Sequence, residues 1–185
     1  MSDRFASRRE AIYERLGDGA ALVLAASPEI TIGRDTELRY HVDAELYYLT
    51  GYTEPEAVLV LAPGNKDARF TMFVRPRDQA RELWTGARGG EAGALEKFGV
   101  QAAYPIAQLE ERLPQLLGSA HVIYTRLRAG RPEVDAAVES VLAQARRSRP
   151  RTGRGAHTIT DAGVLLDRMR LIKDAGEVEL MRQAA

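Results

Sequence analysis

The sequence predicts an α/β fold built on a mixed β-sheet. Short apolar runs closed by Gly, Pro or Asn recur through the first half and again at 121–125, the signature of buried strands. Two of these runs are separated by the turn Pro63-Gly64-Asn65, so they pair as an antiparallel hairpin. Helical spacing of apolar residues precedes and follows them, and alternation of strands with helices is the pattern of a sheet covered by helices.

The elements follow in order. Residues 3–16 read as an amphipathic helix, with Phe5, Ile12 and Leu16 on one face, stopped by Gly17-Asp18-Gly19. Ala20–Ala26 is apolar throughout, as a strand covered on both faces must be. Leu46–Thr50 reads as a second strand closed by Gly51, and Gly51 is expected to supply a backbone geometry that other residues resist. Ala57–Ala62 and Arg69–Val74 form the hairpin. Helices return after residue 90. Ile106, Leu109, Leu113, Leu116 and Leu117 share a helical face, with Pro114 expected to end or kink it. His121–Thr125 is a strand, and 132–147 is a helix with Pro132 in its first turn and Val134, Val138, Val141, Leu142 and Ala145 on one face. Asp174 and Glu177 have the spacing of a capping box that opens a last helix. That helix stops at Ala185 without a closing signal, so the chain is expected to be a fragment with a second domain starting near Asp174.

Composition excludes several classes of function. There is no cysteine, which removes disulfides, thiol catalysis and thiolate metal sites. The net charge is +0, so no overall basic field attracts nucleic acid. Residues 146–185 carry a basic excess that comes mostly from one run, 146–154, which reads as a solvated helix end and linker or as an anion clamp. No apolar stretch approaches a membrane span, and the N-terminus lacks an apolar leader, which fits a cytoplasmic protein.

The search for chemistry returns little. His41, His121 and His157 are widely separated and make no His-x-x-x-His pair, so no metal site is legible. No Gly-x-Ser-x-Gly or phosphate loop is present, and Gly86–Gly90 reads as a flexible connection. The one tryptophan, Trp84, stands in a polar stretch beyond the 69–74 strand, either packed at an edge or presented on a loop to a ligand.

Three blocks in order nevertheless resemble a known family. His41-Val42-Asp43-Ala44-Glu45-Leu46-Tyr47-Tyr48-Leu49-Thr50-Gly51-Tyr52-Thr53-Glu54-Pro55-Glu56-Ala57 resembles a block of the N-terminal domain of Xaa-Pro aminopeptidases (aminopeptidase P). Glu82-Leu83-Trp84-Thr85-Gly86-Ala87-Arg88 is similar to the family's tryptophan block. Met169 to Arg182 is similar to its junction into the catalytic domain, with Ala175 where the family usually has proline.

The resemblance implies a three-layer α/β/α domain, residues 1–173, with a mixed, ribonuclease H-like sheet shared with creatinase and prolidase. Residues 174–185 would begin a catalytic pita-bread domain. That domain would hold two divalent metal ions, usually manganese, through two Asp, one His and two Glu, and release the first residue of peptides with proline second. None of those ligands is expected in this chain, which by itself would be inactive and bind no metal. The resemblance implies substrate-binding roles for Trp84, Arg88 and Arg149, with Arg151 a rival for the last, and a homo-oligomer (dimer or tetramer) in which the tryptophan reaches a neighbouring subunit. Partners would be a proline-containing peptide and the catalytic domain, with no nucleic acid and no membrane. Asp43, Tyr48, Thr50 and Gly51 read as structural. A prolidase, or a binding domain of a homologue without metal ligands, remains the alternative.

Overall fold

The computed structural model describes residues 3–32, 36–129 and 131–185. The chain runs α1 (Asp3–Leu16), β1 (Ala20–Ala25), β2 (Thr31–Ile32), β3 (Thr36–Glu37), α2 (Ala44–Thr50), β4 (Val58–Leu61), β5 (Phe70–Val74), α3 (Gln79–Thr85) and α4 (Gly90–Phe98). It continues with β6 (Ala102–Pro105), α5 (Leu109–Leu116), β7 (Val122–Thr125), α6 (Pro132–Thr152), β8 (Thr158–Asp161), α7 (Gly163–Leu171) and α8 (Ala175–Ala184). Six strands make one sheet in the order β6-β5-β4-β1-β7-β8, and β2 pairs with β3 apart from it. β4 is antiparallel to both β1 and β5, and the other pairings are parallel. One strand therefore runs against five.

The period-two rule for strand side chains divides the core between the two faces of the sheet. Leu22 and Leu24 of β1, with Leu59 and Leu61 of β4, face Ile12 and Leu16 of α1, Leu46 and Leu49 of α2 and Leu166 of α7. Their neighbours Ala21, Val23, Val58 and Val60 face Leu113 and Leu117 by α5 and Val134, Val138 and Val141 of α6. Helices thus cover both faces, giving the expected three-layer α/β/α architecture. The hairpin forms in the register Val58↔Phe73 to Leu61↔Phe70.

One element differs in kind from the sequence reading. Residues 46–50 are helical, not a strand. The Asp43 side chain accepts from the Glu45 and Leu46 amides at 3.1 and 2.9 Å, and Gly51 closes the helix at φ 73°. N-cap and left-handed C-cap outweigh the strand preference of the two tyrosines and Thr50, whose hydroxyl bonds back to the Leu46 carbonyl at 2.7 Å. Arg8 and Arg9 of α1 donate to the Tyr48 and Leu49 carbonyls, filling acceptors left open at the end of α2.

Other helices extend the expectation. α6 continues through Pro150 to Thr152, so the basic run is helical until Gly153 closes it at φ 67°. α5 carries Pro114 in its last turn and ends two residues later. β6, β8 and α7 correspond to no element read from the sequence. β6 and β8 are the two edge strands, half-exposed or exposed along their length, and so lack the apolar signal that marked the central strands.

The capping box of α8 forms as expected, with the Asp174 carboxylate on the Glu177 amide at 2.8 Å and the Glu177 carboxylate on the Asp174 amide at 2.9 Å. α8 buries no residue. Arg8 tethers it, bonding Asp174 at 2.8 Å and Glu177 at 3.1 Å while its guanidinium stacks 4.0 Å from the Tyr48 ring.

Candidate functional site

Because only β4 is reversed, the chain leaves β1, β5, β7 and β8 at one rim of the sheet. In open α/β sheets this carboxyl-end rim is where ligands are received. A cavity of about 350 Å³ opens there, between the ends of β1 and β7, the start of α2 and Arg170 of α7.

Its polar wall is organised by Arg126, just beyond β7. Arg126 reaches Glu45 at 2.6 Å, Asp161 at 2.7 Å and Asp167 at 2.6 Å, so one guanidinium joins α2, β8 and α7. Arg170 adds a second contact to Glu45 at 3.4 Å. The Glu45 hydrogen bond, joined by the Asp167 bond, outweighs the opposing effect of burial and holds Arg126 above its ordinary pKa and hence charged. Buried Arg131 donates to the Ala26 carbonyl and to Glu133. These groups position one another and tie α2, β8 and α7 together at the rim. No sequence motif marked them, since Arg126 and Glu45 are 81 residues apart and only the topology joins them.

A second set of polar groups lies beyond the end of β5. Glu54 accepts from the Gly89 amide at 2.9 Å and keeps its other oxygen buried. The Tyr52 hydroxyl is buried beside the Glu54 carboxylate, and the Nε atoms of Arg75 and Arg88 are buried without a hydrogen-bond partner among the described residues. Burial first, and the Glu54 carboxylate second, push the Tyr52 phenol well above its ordinary pKa.

Trp84 stands in α3, a short helix rather than a loop, N-capped by Asp78, whose carboxylate accepts from the Ala80 and Arg81 amides at 3.2 Å each. The Trp84 side chain lies outside the described residues. Arg88 follows α3 at the same rim. The residues 86–89 do connect α3 to α4, but the connection is pinned at Gly89 by Glu54. Arg149 lies in the last turn of α6, its carbonyl capped by Gly153 at 2.8 Å, and Arg151 is exposed beside it. α6 starts after β7 and ends before β8, so both arginines sit at the opposite rim from Trp84 and Arg88. Within one chain the structure brings Trp84 and Arg88 to a common segment and leaves Arg149 and Arg151 apart from them.

The opposite rim also pairs two histidines that are distant in sequence. His121 and His157 stack with ring centroids 5.9 Å apart, because β7 and β8 start side by side. Among the described residues no three His, Asp or Glu side chains gather as a metal site. No helix among them is long and apolar enough to cross a membrane.

Fold and rim together define a class: a three-layer α/β/α domain with a mixed sheet, whose carboxyl-end rim is tied together by ion pairs. The chain belongs to the family described as "Aminopeptidase P, N-terminal domain", whose model matches residues 5–124. It is 33% identical to the Xaa-Pro aminopeptidase of Escherichia coli over 97% of its own length and 41% of that protein. It is 30% identical to human Xaa-Pro aminopeptidase 3 over 91% of its length and 33% of that protein. Among solved structures, aminopeptidase P from E. coli in a low-pH form superposes on all of this chain with a TM-score of 0.87 and 33% identity, using 42% of that chain. The Pseudomonas aeruginosa aminopeptidase PepP covers 96% of it with a TM-score of 0.85 and 34% identity, using 40% of that chain. The chain thus spans less than half the length of these relatives.

Proposed function

We propose that this chain is the non-catalytic N-terminal domain of an Xaa-Pro aminopeptidase, which removes the first residue of peptides carrying proline second, and that residues 174–185 begin its catalytic domain. The supporting observation is the near-complete match of this chain to less than half of proteins bearing that name. In this reading two divalent metal ions, manganese, would be held by the unmatched part and would supply the activation of water there. The described residues here offer no ligand set that fits them. This domain's share is binding and assembly. Trp84 offers an apolar face to the proline ring, while Arg88 and Arg149, or Arg151 in its place, donate to a substrate carbonyl or carboxylate. The domain also helps join copies into a dimer or tetramer in the cytoplasm.

An Xaa-Pro-Xaa tripeptide and Mn²⁺ test this division of labour. The whole protein is expected to release the first residue and the 185-residue chain to release none. Turnover by the isolated chain would overturn the reading. Cleavage of Xaa-Pro dipeptides but not tripeptides by the whole protein would make it a prolidase.

A further inference from the structure

We propose that Glu82 is a positioning residue that fixes the segment presenting Trp84 and Arg88, with Glu54 as its second anchor. This deepens the binding role given above to Trp84 and rests on it.

The excursion from Arg77 to Gly90 leaves the sheet after β5 and returns to start α4. Its closure converges on one carboxylate. Arg77 donates to both Glu82 oxygens, from Nε at 3.3 Å and Nη2 at 3.1 Å. The Asp78 amide donates to Glu82 Oε1 at 3.3 Å, and the Arg88 amide also bonds this carboxylate. Glu82 therefore ties the entry of the excursion to its exit, with a single residue, Leu83, between it and Trp84. Its side chain is only 11% exposed although α3 lies at the surface, where the next residue, Leu83, is 85% exposed.

The base of the excursion is closed sterically as well. Gly90 has φ 59°, and a Cβ there would lie 2.8 Å from Arg77 Cγ. A Cβ on Gly89 would lie 3.0 Å from Glu54 Oε1, the atom that accepts the Gly89 amide at 2.9 Å. Two carboxylates distant in sequence thus hold a short helix whose described side chains are exposed or half-buried. A short helix so held presents its residues at lower cost in ordering than a free loop.

The charged groups around Glu82 set the sign of its pH response. Arg77 faces it, Asp78 caps the same helix, and Arg81 pairs with Asp78 at 3.7 Å. The Arg77 hydrogen bond, the largest influence, holds the Glu82 carboxyl below its ordinary 4.5. A depressed acid contributes above its unfolded value, so the closure is complete above about pH 4.5 and is lost as pH falls through the lowered value.

Trp84 is the only tryptophan of the chain, so its fluorescence reports on this segment alone. In the 185-residue chain, which carries core clusters on both faces of its sheet, Glu82→Gln is expected to lower Trp84 anisotropy, steepen acrylamide quenching and abolish the acid-side change seen with Glu82. Arg77→Gln, which removes the partner instead, is expected to reproduce the mobility change with the melting curve nearly unmoved. Unchanged anisotropy and quenching in both variants would overturn the proposal. In the whole protein with Mn²⁺ and an Xaa-Pro-Xaa tripeptide, Glu82→Gln is expected to lower kcat/KM by roughly tenfold to a hundredfold, the scale of one charged hydrogen bond. It should add nothing further in a Trp84→Ala background. A fluorescence change with turnover intact in both Glu82→Gln and Trp84→Ala would instead overturn the substrate-binding role of Trp84.

Discussion

Gly51→Ala is expected to destabilise the chain by about 2–4 kcal/mol, combining the cost of an L-residue in left-handed backbone with the cost of overpacking. Gly51 ends α2 at φ 73°, and an added Cβ would lie 2.7 Å from Cε2 and 2.9 Å from Cζ of Phe5. Phe5 has little room to give: it stands edge-on to Tyr47 at 5.8 Å with the Arg4 guanidinium 4.8 Å from its ring. Gly153→Ala separates the two costs. Gly153 has nearly the same φ, 67°, and open space where its Cβ would be. It should lose only the backbone part, roughly 1–2 kcal/mol. Urea unfolding of both variants checks this, and equal losses would show that Phe5 yields. The variant Phe5→Leu combined with Gly51→Ala should recover part of the difference.

Arg8→Met is expected to release α8 while leaving the sheet and its two cores intact. Met keeps much of the aliphatic length but removes the bonds to Asp174, Glu177 and the Tyr48 carbonyl. Because α8 buries no residue, little else in the chain holds it down. Hydrogen exchange should therefore accelerate in α8 by about tenfold or more, the scale of one lost charged hydrogen bond, with β1 and β4 unchanged. Acid should produce the same release in the parent chain. The Asp174 carboxyl is held below its ordinary 3.8, first by the Glu177 amide and then by Arg8. Its contribution is present above pH 3.8 and disappears as pH falls through the lowered value. Exchange in α8 identical to that of the parent would show that other contacts hold the helix.

The central strands were legible because Ala20–Ala25, Val58–Leu61 and Phe70–Val74 are covered on both sides and carry almost no polar residue. The edges were not, since β6 and β8 face water along much of their length and resemble loops in composition. α2 was misread because a five-residue apolar and aromatic run fits both periods, and the caps that decide it, Asp43 and Gly51, lie outside that run. At the site, Trp84 stood out as a lone tryptophan, and the three ordered blocks led to a family that the comparisons bear out. The supports did not stand out. Glu82 with Arg88, Glu54 with Gly89 and Arg126 with Glu45 are pairings made by closure of the fold, and no local spacing announces them.

The single reversed strand has a consequence for how a short peptide is held. It sends the Trp84 segment to one end of the sheet, while α6 delivers Arg149 and Arg151 to the other. β1 alone separates those ends by about 20 Å at the usual rise per strand residue, whereas a fully stretched tripeptide reaches only about 10 Å. The Trp84 segment and the two arginines therefore stand on separate surfaces of the domain, about a strand's length apart. Substitutions at the two ends should accordingly act independently, with effects that add rather than mask one another.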